Sequence, residues 1–181
     1  MAISQPKIVN VVISAWADKL NIERLARSLP KSMYEPETFS GLVYHRQVPK
    51  ATIIMFSTGR IVTTGTKSVR KGNESLNVTM YELSNILKKD MKVKNKKIEN
   101  IVIKSDIKSK IDLKKLSRKC QNSNYNKNVF PALIYINKPD PSCLVFGNGK
   151  IISAGSKNES QARQSIVNIH KKIILYRCCK A

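Results

Sequence analysis

The sequence has no long hydrophobic run. Nowhere does it approach the ~18 consecutive apolar residues that a membrane-spanning helix requires. Its first residues, MAISQPKIVNVVISAW, lack the basic segment and the small-residue cleavage site of a secretory signal peptide. These absences argue against a membrane protein and against a secreted one. We therefore expect a soluble, intracellular protein that does not span a membrane.

Cysteine and histidine are scarce, and their spacing fits neither a metal site nor an active site. The chain has 4 cysteines and 2 histidines, with none of the Cys-x-x-Cys or Cys/His spacings of zinc sites. Cys178 and Cys179 are adjacent, which is awkward for a structural disulfide. His45 and His170 are isolated, and the sequence shows neither an acid–base dyad nor a Gly-rich phosphate loop. We expect a reducing compartment, no enzyme activity, no metal and no cofactor.

Acidic residues are few. Lysine and arginine number 33 against 12 aspartates and glutamates, which gives a formal net charge of +21 and a pI of about 10.0. Self-repulsion of this size destabilises a compact chain unless a polyanion relieves it, so nucleic acid is the leading partner and an anionic membrane surface the next. Heavy use of Lys, Asn and Ile also fits a bias of nucleotide composition, so charge alone does not decide between partners.

The sequence repeats itself after about ninety residues. Three segments of the first half recur in the same order in the second: KIVNVVIS and KIENIVIK, YEPETFSGLVY and YNKNVFPALIY, PKATIIMFSTGRIVTTGTK and PDPSCLVFGNGKIISAGSK. Two ordered copies predict a duplicated unit with pseudo-two-fold symmetry, and we place the repeats at 1–91 and 92–181. A two-fold protein suits a ligand that is itself nearly two-fold, such as duplex DNA.

Each half has the pattern of a strand, a short helix, several antiparallel strands and a long helix. Asn21 and Asp112 are placed to cap the short helices, and apolar residues at helical spacing predict the long ones. Gly65 is expected to end the last strand of the first half, and Gly72–Asn73 to make the first long helix start late or irregularly. Lys88–Lys97 is expected to form a basic connector between the halves. Helices on one face of a sheet leave its other face open, so that face needs a ligand.

All 4 phenylalanines fall at repeat-equivalent positions, namely Phe39 with Phe130 and Phe56 with Phe146. Two explanations fit this pattern. The four phenylalanines are either core residues that the duplication preserved, or paired aromatic rings that insert into a flat ligand. Asn10 and Asn100 interrupt apolar strands, where an amide needs a partner. That partner is either a buried backbone group or an acceptor in a DNA minor groove.

These motifs resemble the core domain of the TATA-box-binding protein family. The resemblance rests on IVNVV (8–12), YEPETF (34–39), GLVY (41–44), MFSTGRIVTTGTK (55–67) and their second-half counterparts, and it covers residues 7–176. It implies an α+β fold shaped like a saddle, a pseudo-two-fold duplicated unit with a continuous curved antiparallel sheet and helices on the convex face. It also implies a concave face that sits on the minor groove and kinks the DNA, which the residues alone do not show.

The resemblance carries individual roles over to this chain. The wedge residues, one pair at each end of the site, are Phe39 with Phe56 and Phe130 with Phe146. The hydrogen-bonding residues of the groove are Asn10, Asn100 and Thr64. The apolar residues that line the groove are Val12, Val102, Ile54, Leu144, Val62 and Ile152. The residues next to phosphates are Arg60, Lys67, Lys150, Lys157 and Thr58, although a solvated rim is the alternative for these.

The chain departs from the family pattern mainly in its second half. Ala154 stands opposite Thr64, Asn148 opposite Thr58, and Asp140 where a basic residue is usual. Near the first wedge residue the acidic side chains are Glu35 and Glu37, whereas the second half has Asn126, Lys127 and Asn128. In the family it is usually the second half that has acidic residues here, and they dock a TFIIB-type factor. The resemblance therefore implies either that the charge of this docking surface has changed sign or that the factor docks on the first half.

The resemblance implies a general transcription initiation factor that bends A·T-rich promoter DNA. Its partners would be that DNA, a TFIIB-type factor, a TFIIA-type factor as a further candidate, and RNA polymerase indirectly. Two rival functions remain: an enzyme on the same fold, such as a glycosylase or ribonuclease, and a DNA-bending factor for a restricted promoter set or without an initiation role. The protein would act in the nucleus of a eukaryote, or in the cytoplasm, at a nucleoid or viral factory, of an archaeal or viral host.

Overall fold

The two halves of the chain contain the same elements in the same order. The computed structural model describes residues 3–136 and 141–179, so Asp140 lies outside the described residues. The elements of the first half are β1 (Lys7–Trp16), α1 (Ile22–Ser28), β2 (Ser32–Glu35), β3 (Phe39–Arg46), β4 (Ala51–Met55), β5 (Arg60–Thr66) and α2 (Val69–Leu87). Those of the second are β6 (Lys94–Asp106), α3 (Leu113–Lys119), β7 (Ser123–Asn124), β8 (Ala132–Tyr135), β9 (Ser142–Phe146), β10 (Lys150–Ser156) and α4 (Glu159–Leu175).

The chain forms two compact units, and each contains strands that pair antiparallel. One unit is Asn10–Glu99; the other joins Met1–Val9 to Asn100–Ala181. The strand order is β2-β3-β4-β5-β1 in the first half and β6-β10-β9-β8-β7 in the second. These units are defined by which residues pack together, whereas the repeats were placed by comparing the sequences of the two halves. The repeat boundary at 91/92 therefore stays a prediction.

The short helices are capped by the two residues that the sequence indicated. The side chain of Asn21 accepts a hydrogen bond from the backbone N–H of Arg24 at 3.0 Å, and Asp112 accepts one from Lys115 at the same distance. Each cap satisfies a backbone donor that the first turn of a helix leaves without a partner. α1 buries Ile22 and Leu25, and α3 likewise buries two leucines, so both helices pack through their apolar side.

The long helices cover one face of the strands in each unit. α2 contacts β4 and β5, and α4 contacts β9 and β10. Their inward residues are fully or nearly fully buried, among them Leu76 and Leu83 in α2 and Ile166 and Ile169 in α4. Burial of each such side chain contributes roughly 1.5–3 kcal/mol. The predicted apolar stripes are confirmed.

α2 begins earlier than the sequence suggested. It starts at Val69, and the Ser68 hydroxyl caps it by accepting a hydrogen bond from the Lys71 N–H at 3.2 Å. Gly72 lies inside the helix and does not delay it. A Cβ there would lie 2.7 Å from Cδ1 of the buried Ile13, so glycine suits the close packing at this point. The expected late start was therefore wrong, and the glycine allows the helix to lie close to β1.

Three further boundaries differ from the prediction. β5 continues through Gly65 to Thr66, because Gly65 adopts a positive φ of 82° and bulges the strand without ending it. The basic connector is shorter than expected, since Lys94–Lys97 already belongs to β6. The edge strands β2 and β7 were not foreseen individually; they have four and two residues, too few for a periodic signal.

The other face of each sheet is only partly covered. Along β4 and β9 buried residues alternate with half-buried ones, as the two-residue period of a strand dictates. The half-buried residues in the middle of these strands are apolar, Ile54 in β4 and Leu144 in β9, whereas Thr52 and Ser142 are the half-buried residues near their starts. Among the described residues, no helix is long and apolar enough to cross a membrane. The uncovered apolar face is therefore the surface that needs a functional explanation.

We expect stability to fall in mild acid because of His170 in α4. Its Nε2 is buried without a hydrogen-bond partner in the described part of the chain, and burial lowers its pKa below the ordinary 6.5. The folded state thus keeps this imidazole neutral, while the unfolded state takes up a proton below about pH 6.5. This contribution to stability is intact above that pH and is lost as the pH falls.

The measurement is thermal melting of the wild type and His170→Gln between pH 8 and pH 5. The wild-type melting temperature should drop more steeply with falling pH than that of the variant. Parallel curves would show that His170 does not couple protonation to folding.

Candidate nucleic-acid interface

The open face of the first half is built from a cross-strand row of apolar side chains. In the antiparallel register Val43 lies opposite Ile54, Ile54 opposite Val62, and Val62 opposite Ser14. The three apolar members are half-buried, and they alternate along their strands with fully buried neighbours. Val12 lies on the same face of β1. A surface of β-branched residues this regular forms a smooth apolar strip.

The second half repeats this row with one change. Ile134 lies opposite Leu144, Leu144 opposite Ile152, and Ile152 opposite Lys104. Val102 shares the face, two residues before Lys104. The structure therefore brings together, within each repeat, the apolar residues that the sequence assigned to a groove-lining role. It adds Val43 and Ile134, which the sequence analysis missed although their positions in the strand pattern predict the same face.

Two phenylalanines pack against each other in the first repeat. The ring centroids of Phe39 and Phe56 are 5.8 Å apart with the planes at 72°, an edge-to-face contact. Phe39 is 44% exposed, so its ring is not part of the buried core. A Cβ at Gly41 would lie 2.6 Å from the Phe39 ring and 3.0 Å from that of Phe56, so the absence of a side chain there lets the two rings lie in this closer arrangement.

The second repeat has the equivalent pair. The centroids of Phe130 and Phe146 are 6.4 Å apart with the planes at 59°. Phe130 is 37% exposed, Phe146 is half-buried at the end of β9, and Ala132 takes the place of the first-repeat glycine. In both repeats a phenylalanine pair thus stands at the surface, where aromatic rings contact solvent unless a ligand covers them.

The two asparagines hold the bulges of the strands beside them. The Oδ1 atom of Asn10 accepts a hydrogen bond from the Gly65 N–H at 2.8 Å, and that of Asn100 accepts one from Gly155 at 2.8 Å. Both glycines have positive φ, 82° and 102°. Because a backbone N–H can bond only the amide oxygen, these contacts fix the orientation of each amide. Neither Nδ2 group donates a hydrogen bond to another residue of 3–136 or 141–179, so both remain available as donors on the face that carries Val12 and Val102.

Threonine makes the first repeat different from the second at this point. The Thr64 hydroxyl donates to Oδ1 of Asn10 at 3.2 Å, so in the first repeat the amide oxygen accepts two bonds. Ala154 occupies the equivalent position and offers no hydroxyl. The Asn10 oxygen therefore accepts one hydrogen bond more than the Asn100 oxygen, so the Asn10 amide is held more firmly.

The basic residues assigned to phosphates lie at the edges of this face and are exposed: Arg60, Lys67, Lys150 and Lys157. None of them is in an ion pair with another residue of 3–136 or 141–179. Thr58 and Asn148 have the same local role, since each side-chain oxygen accepts a hydrogen bond from the backbone N–H two residues on, at 3.5 and 3.2 Å. Asn148 thus replaces Thr58 in the turn as well as in the sequence.

Two polar or aromatic side chains of the open face were missed. Trp16 is 39% exposed and pairs in register with Arg60 at the end of β1. Lys104 is exposed and lines a cavity of about 510 Å³ with Phe146 and Lys150. Side chains alternate between the two faces of a strand, and Trp16 and Lys104 lie an even number of residues after Asn10 and Asn100. Counting along the strands therefore predicts that both side chains share the face of the asparagines.

The clustering of metal-ligating side chains and the environment of two thiols can also be read from the described part of the chain. In residues 3–136 and 141–179 no group of three or more His, Cys, Asp or Glu side chains could hold a metal ion. The thiols of Cys120 and Cys178 are buried, and burial raises the pKa of each. A raised pKa keeps a thiol protonated and therefore a poor nucleophile.

Known proteins match the chain along nearly its whole length. Residues 5–86 and 95–176 match the family model "Transcription factor TFIID (or TATA-binding protein, TBP)". The TATA-box-binding protein of Thermoplasma acidophilum is 31% identical over 173 residues, which cover 92% of each chain. That of Methanocaldococcus jannaschii is 32% identical over 173 residues, with 93% of this chain and 94% of the relative covered.

A solved structure matches as well. The "Methanococcus jannaschii TBP" structure superposes with a TM-score of 0.83 at 31% identity, covering 94% of this chain and 99% of the other. This likeness confirms the predicted fold class, an α+β fold of two repeats in which antiparallel strands carry helices on one side. With both repeats matched by the family model and full-length relatives above 30% identity, the chain belongs to the TATA-box-binding protein family.

Proposed function

We propose that this protein is a general transcription initiation factor that binds the minor groove of A·T-rich, TATA-like promoter DNA and bends it with its paired phenylalanines. The observation that carries the proposal is the composition of the open face. Within each repeat an apolar strip, an amide donor and an exposed aromatic pair share one face, and that face is bordered by cations that form no ion pair with residues of 3–136 or 141–179. This set suits a groove that is apolar in its walls, rich in acceptors at its floor and lined by phosphates.

The apolar strip explains a preference for A·T pairs. In the minor groove A·T pairs present only the acceptors adenine N3 and thymine O2, whereas a G·C pair adds the guanine N2 amino group. That amino group, pressed against Ile54 or Leu144, would lose its hydrogen bond to water without gaining an acceptor, at a cost of about 1–3 kcal/mol. A·T-rich steps are also easier to unstack and bend.

The asparagines supply the polar part of recognition. Their Nδ2 donors match the acceptors of the groove floor, and their orientation is fixed before DNA arrives. Because the hydrogen bond to the bulge already fixes each amide in the unbound protein, DNA binding loses little side-chain conformational entropy at these asparagines. Thr64 holds only the first of them, so the Asn100 amide has more freedom.

The phenylalanine pairs are the proposed wedges. Apolar side chains that insert between base pairs unstack a step and kink the duplex toward the major groove. Each repeat supplies one pair, Phe39 with Phe56 and Phe130 with Phe146, already in ring contact. Exposed aromatic rings destabilise the free protein little and gain burial on binding, which gives the bent complex its apolar driving force.

The proposed protein partners follow from the surface near each wedge. We propose a TFIIB-type factor, with a TFIIA-type factor as a further candidate and RNA polymerase recruited indirectly. The first repeat offers Glu35 and Glu37 and the ion pair of Glu23 with Arg27 on α1. On α3 and in the following loop the second repeat offers lysines, arginine and asparagine. Charge reversal in each patch therefore identifies the half that the partner uses.

A DNA-bending factor for a restricted promoter set is the second candidate. Two residues of the second half favour it: Ala154 stands where the family has a central threonine, and Ile136 stands where the family often has an arginine. Reconstitution with the cognate TFIIB-type factor and polymerase separates the two: a general factor supports initiation on many TATA-like promoters. We propose that the protein acts in the nucleus of a eukaryote or in the cytoplasm of an archaeal or viral host.

Replacing Asn100 with Asp tests the role of the amide. Aspartate keeps an oxygen for the Gly155 N–H but removes the Nδ2 donors and adds a negative charge on the open face. We expect a melting temperature close to that of the wild type and a loss in specific DNA affinity of at least ~1–3 kcal/mol. Asn77→Asp on the exposed side of α2 is the control for charge and should bind as the wild type does. Unchanged affinity of Asn100→Asp in a titration with TATA-like duplex would remove the amide from the interface.

Replacing a wedge residue should separate bending from folding. Phe146→Ala, or alanine at Phe39, Phe56 or Phe130, is expected to reduce the FRET change that reports bending of an end-labelled duplex. Because these rings are exposed or half-buried, the variants should not show the ~3–5 kcal/mol loss of stability that truncation of a core phenylalanine causes. Tyr81→Ala, at a 70% exposed aromatic on α2, is the control. A large melting shift with normal bending would return the phenylalanines to the core.

The salt dependence of DNA binding should distinguish the basic residues at the edges of the open face from the apolar strip at its centre. The logarithm of the binding constant should fall with the logarithm of salt concentration by about 0.9 for each phosphate neutralised. Alanine at Arg60, Lys67, Lys150 or Lys157 should flatten this slope by about one phosphate, whereas Lys171→Ala on α4 should leave it unchanged. Nonspecific binding to scrambled duplex should fall faster than specific binding, because apolar contacts release few counterions. Equal affinity for TATA-like and scrambled duplexes at every salt concentration would leave a basic protein without sequence preference.

A further inference from the structure

We infer that Lys104 is a further specificity-determining residue, which makes the second repeat stricter than the first in requiring A·T pairs and so sets the direction in which the protein lies on DNA. The inference rests on the proposed minor-groove function and adds a residue and a consequence to it. Neither the repeat nor the family resemblance assigned Lys104 a role.

The position of Lys104 follows from the register of the strands. It lies opposite Ile152 and shares a face of β6 with Asn100 and Val102. It therefore completes the cross-strand row that begins at Ile134. Its side chain is exposed and lines the same 510 Å³ cavity as Phe146. The ammonium thus belongs to the strip itself, between the amide donor and the wedge, and not to the rim.

No carboxylate neutralises this ammonium within residues 3–136 and 141–179 at ion-pair distance, 4.0 Å or less. The acidic residue on the same face is Asp106, and its Oδ1 accepts a hydrogen bond from the Lys108 N–H at 2.7 Å. Elsewhere lysines do find acids: Lys89 and Lys94 both contact Asp18, at 2.7 and 3.3 Å. Lys104 remains available to a ligand.

The first repeat has no counterpart to this charge. Ser14 occupies the equivalent place opposite Val62, is 2% exposed, and donates its hydroxyl to Glu99. The cross-strand row of the second repeat thus ends at the exposed ammonium of Lys104. The row of the first repeat ends at the Ser14 hydroxyl, which is buried and hydrogen-bonded. The two halves otherwise present similar apolar side chains, so this difference falls on a nearly symmetric surface.

Minor-groove chemistry gives the difference a consequence. An ammonium over the groove floor can donate to adenine N3 and thymine O2, but the N2 amino group of guanine is itself a donor and blocks that contact. A·T tracts also narrow the groove and strengthen its negative potential, which attracts inserted lysine and arginine. The half of the site under the second repeat should therefore tolerate G·C pairs less than the half under the first. On an asymmetric site the protein should place its second repeat over the half that is purely A·T.

Orientation can be measured on the full chain by FRET. Cys179 is partly exposed while Cys120, Cys143 and Cys178 are buried, so a thiol-reactive donor dye on Cys179 marks the second repeat. The acceptor is placed on either end of a TATA-like duplex that carries one G·C pair in one half. Wild type should favour the orientation with the second repeat on the intact half by a ratio on the order of tenfold, the size of one good base contact.

The deciding variant is Lys104→Ser, which installs the residue of the first repeat at an exposed site. It should bring the two orientations close to equal and raise the affinity for duplexes with G·C under the second repeat relative to the all-A·T duplex. Lys104→Arg should keep the wild-type preference, and Lys171→Ser, which removes the same charge from α4, should keep it too.

Two results overturn the inference. Orientation and G·C discrimination in Lys104→Ser that equal those of the wild type would show that the lysine does not contact the groove. An equal loss in Lys171→Ser would show that net charge, not position, matters. Both outcomes leave the proposed function standing, whereas a wild-type protein that does not prefer TATA-like over scrambled duplex removes the function and this inference together.

Discussion

The constraint on which the rest of the structure depends is that each sheet buries only one of its faces. Four helices supply enough apolar surface to cover one side of the strands, and the two-residue period of a strand then assigns every second side chain to the uncovered side. Ile53 is fully buried while its neighbour Ile54 is half-buried. Exposure of an apolar face to water is unfavourable, so such a face usually marks a surface that binds a ligand. The side chains on it indicate which kind of ligand binds there.

The bulges connect this constraint to recognition. Gly65 and Gly155 break the register between the last strand of each repeat and its neighbour, and the N–H group that would otherwise lack a partner is bonded by an asparagine oxygen. One hydrogen bond thereby satisfies the backbone and orients a donor toward the ligand. The two explanations that the sequence left open for the asparagines, a structural bond or a groove contact, are therefore compatible, since the oxygen serves the first and the nitrogen is free for the second.

Local chemistry could be predicted from the sequence, and close packing could not. Asn21 and Asp112 were placed correctly because capping depends on a few neighbouring residues, and the long helices because their apolar spacing is regular. Gly65 and Gly72 were misjudged because the same residue ends an element in one context and permits a bulge or a tight contact in another. Lys104 was missed among 33 basic residues, because only the register shows that it lies on the apolar face.

The central claim is that the open face contacts the floor of the minor groove, and replacing A·T pairs by inosine·cytosine pairs tests it most directly. Inosine lacks the N2 amino group, so the substituted duplex keeps the minor-groove pattern of A·T while its major groove resembles that of G·C. We expect a TATA-like site rebuilt entirely from such pairs to bind with nearly the affinity of the original, while the G·C version binds only as nonspecific DNA does. Affinity for the inosine duplex as low as for the G·C duplex would contradict minor-groove recognition.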